Sequence, residues 1–105
     1  MDSDLSVFER FAKAELLIMT SLATGPKHGY AMMEDIQRSY SVRLGPGTLY
    51  TALARLEARG AIEPVASHDR RQPYRLTNAG VAALHAHLTE LGRFAASGLE
   101  RLATT

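Results

Sequence analysis

The stretch GPGTLYTALARLEARG, residues 45–60, has the start, the apolar stripe and the end of an amphipathic helix. Pro46 suits the first helical turn, because its φ is already fixed and its missing N–H is not needed there. Gly60 suits the end, since glycine readily takes the left-handed conformation of a C-terminal cap. Three leucines recur at helical spacing and predict the buried side: Leu49, Leu53 and Leu56.

The outer side of this predicted helix lacks the mixture of Glu and Lys that is typical of a solvated helix. Small residues, a hydroxyl and one arginine occupy it: Gly47, Thr51, Ala54, Arg55 and Ala58. The major groove of DNA admits one α-helix, and short polar and arginine side chains recognise base edges there. The stretch alone fits either a DNA-recognition helix or an ordinary amphipathic core helix.

The distribution of charge along the chain favours a DNA-recognition helix over an ordinary core helix. The net charge is only +1, but residues 38–75 carry seven arginines against three acidic residues, whereas residues 1–37 carry six acidic residues against three basic ones. Arginine suits phosphates and guanine edges, so this basic segment indicates an anionic polymer as partner. A chance cluster of solvated arginines would give the same count.

Length and composition limit the classes of protein to which this chain can belong. A chain of 105 residues is expected to form a single domain with a modest core. The absence of cysteine excludes a disulfide framework and thiolate metal sites. The longest apolar run, residues 16–19, is too short to span a bilayer, and the acidic N-terminus lacks the basic region of a secretory signal. We therefore expect a soluble, cytoplasmic protein with no membrane partner.

Two helices precede the recognition helix. Apolar periodicity predicts a first helix over about residues 4–24, which Gly25-Pro26 ends. A second helix is predicted over about residues 30–40, with a buried stripe at Tyr30, Met33, Ile36 and Tyr40. Two helices separated by a short connector are typical of a helix-turn-helix, in which the later helix enters the groove.

A hairpin and a long helix follow. Residues 61–66 and 72–77 are predicted strands, and the connector 67–71 is polar and basic, so the hairpin suits the phosphate backbone or the minor groove. Thr77 is a suitable N-cap for a helix over about residues 78–102. Its apolar residues alternate in 3- and 4-residue steps, which predicts pairing with a second copy. Folding back onto its own core is the alternative.

The predicted fold is therefore mainly α with a small β-hairpin: a winged helix-turn-helix over residues 1–77 and a long C-terminal dimerisation helix over residues 78–105. The predicted dimer contacts are Phe8, Phe11, Leu84, Leu88, Leu91, Ala95 and Leu102.

Four segments, in this order and spacing, resemble the PadR family of bacterial winged-helix transcriptional regulators: LATGPKHGY (22–30), PGTLY (46–50), LARLEARGAI (53–62) and YRLTNAG (74–80). The resemblance, closest to the small subfamily with a single C-terminal helix, implies a homodimeric DNA-binding repressor. It also implies dimerisation through the last helix, with help from the first, and release from DNA by a small aromatic or phenolic compound. A pocket for this compound between the first and last helices could be lined by Phe8, Phe11, Leu91 and Phe94. A dimer core without a cavity would explain the same aromatic residues. The hairpin departs from the family pattern at Asp69, Gln72 and Pro73, which leaves the wing contact mainly to Arg70 and Arg71.

Candidate DNA contacts follow from the predicted faces. Thr48, Thr51 and Arg55 are the predicted base-edge contacts, with Ala54 available for apolar contact. The amides of Gly47 and Thr48 are predicted to bind a phosphate. The remaining candidates keep two interpretations: Tyr50 as phosphate contact or packing residue, Tyr30 as contact or core residue, Arg75 as phosphate contact or solvated side chain, and His28 as cap or switch. Two symmetric recognition helices dock about 34 Å apart, so the operator is expected to be an inverted repeat.

An enzyme is not expected, because no nucleophile–base pair, metal-ligand spacing, cofactor motif or Gly-rich phosphate loop is present. His85 and His87 are two residues apart on a predicted helix, so they point to different faces and cannot chelate together. The second class of function that the sequence leaves open is a winged-helix module that binds a partner protein instead of DNA.

Overall fold

The computed structural model describes the backbone of residues 3–105 and the side chains of residues 13–105. Helices dominate these residues, and three short strands form a small sheet. The elements are α1 (Ser3–Leu22), β1 (Lys27–His28), α2 (Gly29–Tyr40), α3 (Pro46–Ala58), β2 (Ile62–Pro64), β3 (Pro73–Leu76) and α4 (Asn78–Ala103). The predicted fold class is confirmed, and each predicted helix and strand is present near its predicted bounds.

The apolar core forms around α1, which packs against α2, α3 and the start of α4. The buried core side chains are Ala14, Leu17, Ile18, Met19, Leu22, Met32, Ile36, Leu49, Ala52, Leu53, Leu56, Ile62 and Leu84. The leucine stripe predicted for α3 is thus confirmed as its buried side. Gly60, with φ of 77°, takes the left-handed conformation predicted after that helix.

The stripe predicted for α2 is correct only in part. The structure buries Gly29, Met32 and Ile36, whereas the side chains of Tyr30 and Tyr40 are 58% and 48% exposed. Helix α2 begins directly after β1, so the pairing of that strand fixes how the helix is rotated about its axis. The face that meets the core is therefore turned away from the two tyrosines.

The sheet has a third strand that the sequence does not reveal. Strand β3 lies in the middle, with β1 and β2 antiparallel on either side. β1 has two residues, which is too short for an alternating pattern, and it places His28 opposite Pro73. The hairpin of residues 62–76, called the wing below, is thereby joined to the start of α2.

Helix α4 begins against the sheet and then leaves the domain. The Thr77 hydroxyl accepts a hydrogen bond from the Gly80 N–H at 2.9 Å, which confirms the predicted N-cap. Gly80 and Leu84 are the only buried residues of this helix. All described residues after Leu84 are exposed, so the alternative in which α4 folds back onto its own core is wrong.

A polar network joins the end of α1 to α2. The Ser21 hydroxyl, which is 2% exposed, donates to Asp35 Oδ2 at 2.6 Å. This hydrogen bond is the main cause that lowers the pKa of Asp35; burial opposes it, while Ser39, Lys27 and Arg38 add to the lowering. The stability that the carboxylate contributes is present above its unfolded pKa of about 3.9 and is lost as the pH falls through the lower folded value.

Replacing Ser21 by alanine is expected to reduce the free energy of unfolding by about 1 kcal/mol at neutral pH, because the buried hydrogen bond to a charged acceptor is lost. The difference from the wild type should shrink below about pH 4, where Asp35 becomes protonated in the unfolded chain. Urea unfolding at both pH values measures this. Ser39→Ala, whose hydroxyl makes a longer, exposed 3.2 Å hydrogen bond to the same carboxylate, is the control. Equal effects of the two variants at neutral pH would contradict the assignment.

Candidate nucleic-acid interface

The outer face of α3 is open to solvent along its length. Gly47, Thr51, Ala54, Arg55 and Ala58 are all exposed, as the helical periodicity predicts. This face has no acidic side chain, and its small residues let a flat or grooved surface approach closely. Because the leucines behind it are buried in the core, the face is held rigidly.

Thr48 and Tyr50 flank the outer face on opposite sides. Thr48 is half-buried and lines a small groove beside Lys13 and Leu17 of α1. Tyr50 is 55% exposed, yet its hydroxyl lies 2.8 Å from where a Cβ at Gly29 would be. The hydroxyl end of the ring therefore packs against Gly29, as one of the two interpretations states, and the phosphate contact through that hydroxyl stays a prediction.

The wing presents two exposed arginines near its tip, Arg70 and Arg71. Gln72, which stands in the place of a basic residue, is exposed, and its amide donates to the carbonyls of Val65 and Pro73 at 3.0 and 2.8 Å. It thus closes the hairpin at the base of the tip. Sequence reasoning missed this role, because it depends on a cross-strand distance.

Arg75 makes an ion pair that the sequence does not reveal. It lies opposite Glu63 in the register of the wing, and its Nε donates to Glu63 Oε2 at 2.7 Å. Successive residues of a strand point to opposite faces, so Arg75 projects away from the side of Tyr74. Arg75 is therefore not a freely solvated side chain, and its contact with a phosphate stays a prediction.

Tyr30 is exposed, so its interpretation as a core residue is wrong. It lies at the start of α2 and lines a cleft of about 260 Å³ together with Tyr50 and Tyr74. Burial is the main cause that raises the pKa of Tyr74, followed by the negative charges of Glu57 and an ionised Tyr50. Tyr74 therefore stays neutral at physiological pH, as a packing residue of the sheet.

His28 lies where α2, β1 and the wing meet. Its Nδ1 accepts the backbone N–H of Ala31 at 3.2 Å, so the side chain caps α2, as one of the two predicted roles states. Its Nε2 lies 3.2 Å from Nη1 of Arg71 in the wing. The strand pairing that brings them together is not visible in the sequence.

The exposed part of α4 carries a long apolar surface. The exposed fraction is 42% for Leu88, 40% for Leu91, 77% for Phe94 and 70% for Leu102, and Ala95 is exposed as well. The prediction of Leu84 as a dimer contact is wrong, because this residue is 6% exposed and packs in the core of its own domain.

The predicted effector pocket is described only in part. The side chains of Phe8 and Phe11 lie outside the described residues. Among the described ones, a groove of about 310 Å³ opens between α1, the end of α3 and α4, but neither Leu91 nor Phe94 lines it. Leu16, Met19 and Leu84 give it apolar walls, and an ion pair between Glu15 and Arg59 lies at its edge.

The described part of the chain has neither a metal-binding cluster nor a membrane-spanning helix. No group of three or more His, Asp or Glu side chains there could hold a metal ion. None of the helices in that part is both long enough and apolar enough to cross a membrane.

Comparison with known proteins agrees with this geometry. The model of the PadR-like family of transcriptional regulators matches residues 18–86. A transcriptional regulator of Mycobacterium tuberculosis, Rv3488, is 39% identical over 80 residues, which are 73% of this chain and 73% of that protein. A 37.1 kDa protein in a transposon of Streptomyces fradiae is 39% identical over 103 residues, but the match covers 88% of this chain and only 30% of that protein.

A solved structure shares the fold. The crystal structure of a PadR family transcription regulator from Clostridium difficile superposes with a TM-score of 0.75 at 26% identity, covering 85% of this chain and 96% of that one. Regulators of this family bind DNA and are not enzymes. The family match over residues 18–86, the shared fold and the bacterial relatives together show that this chain belongs to the PadR-like family of transcriptional regulators.

Proposed function

We propose that the chain acts as a homodimeric, sequence-specific repressor that binds an inverted-repeat operator in the cytoplasm, where bacterial DNA lies. The observation that carries this proposal is the outer face of α3, which is exposed, smooth and free of acidic side chains. An α-helix with such a face fits the major groove of DNA. The basic wing beside it supplies charge toward the phosphate backbone.

Within each half-site, α3 supplies the base contacts. Arg55 would donate two hydrogen bonds to guanine O6 and N7, a contact worth about 1–3 kcal/mol of discrimination. Thr51 lies one helical turn before it on the same face, and Thr48 contributes its amide, with that of Gly47, to a phosphate. Arg70 and Arg71 contact the backbone from the wing, whereas Arg75 is already paired with Glu63 and contributes least.

The dimer forms through α4. Most of that helix has no cover from its own domain, and its leucines follow one side at coiled-coil spacing. Contiguous exposed apolar surface of this kind is typical of a protein–protein contact. A two-fold dimer would place two α3 helices in successive major grooves, about 34 Å apart.

Release from the operator would be controlled at the groove between α1 and α4. Its volume of about 310 Å³ fits a small aromatic compound, and its walls are mainly apolar. The groove contacts both the end of α3, through Arg59, and the helix that forms the dimer. A ligand bound there would favour a different spacing of the two recognition helices and so weaken operator binding.

A salt titration of DNA binding tests the proposal. The affinity for the DNA upstream of the chain's own gene is expected to fall steeply as the salt concentration rises, because phosphate contacts release counterions. Arg71→Ala should flatten the slope of log K against log salt by about one unit. Fluorescence anisotropy with labelled DNA measures both. Binding that does not depend on salt, or no binding to DNA, would instead favour a module that binds a partner protein.

A further inference from the structure

The cleft between the wing and the start of α2 contains a contact that ordinary hydrogen bonding does not explain. Nη1 of Arg71 lies 3.2 Å from Nε2 of His28, while the Nδ1 of the same imidazole accepts the Ala31 N–H. A neutral imidazole has one N–H and one acceptor nitrogen. The two nitrogens of His28 therefore cannot both accept.

Of its two contacts, the neutral His28 imidazole keeps the hydrogen bond from the Ala31 N–H that caps α2. The Ala31 N–H is partly buried in the first turn of α2, where losing its acceptor is costly, whereas the contact with Arg71 is exposed. Nδ1 is then the acceptor and Nε2 carries the proton. The His28 Nε2–H and the Arg71 guanidinium are both donors, and they face each other with no acceptor between them.

The surroundings favour an anion at that position. Arg70 and the hydroxyl-bearing side chains of Tyr30 and Tyr50 line the same cleft, whose volume is about 260 Å³. Among the described residues, no Asp or Glu lines it. Donors that converge without a carboxylate partner are the arrangement with which proteins bind phosphate.

We infer that this cleft binds one phosphate of the DNA backbone in each half-site, held jointly by His28 Nε2–H and the Arg71 guanidinium. The inference rests on the proposed DNA-binding function and adds a defined ligand for the cleft. One phosphate oxygen accepts from both residues, which replaces the contact between two donors by two hydrogen bonds. Because His28 belongs to the start of α2 and Arg71 to the wing, the phosphate fixes the wing relative to the recognition helix.

The test uses full-length protein and operators in which single phosphates are replaced, one at a time, by uncharged methylphosphonates. For the wild type, a methylphosphonate at one backbone position in each half-site is expected to lower the affinity for DNA about tenfold, because His28 and Arg71 lose their phosphate there. A tenfold loss corresponds to about 1.4 kcal/mol. His28→Asn keeps a side-chain acceptor for the helix cap but is too short to reach the phosphate. This variant and Arg71→Ala should bind the unmodified operator about tenfold more weakly and lose sensitivity at that one position.

Arg93→Ala is the control, since it removes one positive charge from the side of α4 opposite the leucines and should keep full sensitivity. Circular dichroism confirms that the variants fold, and the exposed Arg71→Ala tests the inference even if His28→Asn does not fold. If the His28 and Arg71 variants bind DNA but their affinity still falls at every methylphosphonate position that affects the wild type, the inference is wrong while the proposed function stands. If the wild type does not bind DNA, both are wrong.

The same chemistry could come from free phosphate, and a second measurement separates the two sources. Millimolar inorganic phosphate, added at constant ionic strength to the DNA-free protein, is expected to leave the NMR signals of the His28 ring unchanged. The reason is that one exposed pair of donors, His28 and Arg71, binds a small free ion only weakly. A saturating shift of those signals would assign the cleft to free phosphate and overturn the DNA assignment.

Discussion

Replacing Leu88, Leu91 and Leu102 by lysine is expected to convert the proposed dimer into a monomer and to lower operator affinity by about 100-fold or more, since two linked half-site contacts become separate ones. These three side chains lie on one side of α4 and are all exposed in the single chain. Burying six lysines in a dimer interface is costly, because an unpaired charge is far more stable in water. The fold of each domain should survive, as none of the three belongs to the core.

The control places the same charges on the opposite side of the helix, as Ala86→Lys, Thr89→Lys and Ser97→Lys. Both sets add the same charge toward DNA, so a difference between them reports the interface alone. Light scattering measures the molar mass, and anisotropy measures operator affinity. A leucine variant that remains a dimer, or a control variant that dissociates equally, would show that α4 is not the dimer interface.

Replacing Gly80 by alanine is expected to destabilise the domain by about 3 kcal/mol. A Cβ at this position would lie 2.0 Å from the carbonyl oxygen of Ala61, and that oxygen is a backbone atom that cannot rotate away. The same oxygen accepts the Thr77 N–H at 3.0 Å, so moving Ala61 also breaks a backbone hydrogen bond. The first turn of α4 would have to separate from the sheet, which exposes Leu84.

Gly92→Ala is the matched control, because it makes the same change in the same helix at a position where no neighbour lies within 4 Å of the new Cβ. Alanine favours the helix over glycine, so this variant should gain up to about 1 kcal/mol. Urea unfolding at one fixed protein concentration compares the two variants, since the stability of a dimer depends on concentration. Equal stabilities of the two variants would contradict the close approach of Gly80 to Ala61.

The recognition helix could be predicted from the sequence because its signals are local. Pro46 fixes its start, Gly60 its end, and the leucine spacing its buried side, so no knowledge of distant residues is needed. The same holds for the Thr77 cap of α4. Candidate residues on the exposed side of α3 followed from the helical period alone.

Other features depend on contacts between distant residues. The ion pair of Arg75 with Glu63 follows from the strand register, and the two-residue strand β1 exists only because β3 lies beside it. The rotation of α2, which exposes Tyr30, depends on that same pairing. Leu84 fits the apolar repeat of α4, yet it packs in the domain because the first turns of α4 still lie against α1. A repeat along one helix cannot show where its own domain ends.

Arg55→Ala tests the proposed role of α3 most directly. Affinities of the wild type and this variant are measured by anisotropy against a set of operators in which each base pair is changed in turn. The account predicts that the wild type discriminates one guanine per half-site by about 1–3 kcal/mol, and that Arg55→Ala loses this preference while the others remain. Arg71→Ala, by contrast, should weaken all the operators equally. An Arg55→Ala variant that keeps every base preference of the wild type would contradict the placement of α3 in the major groove.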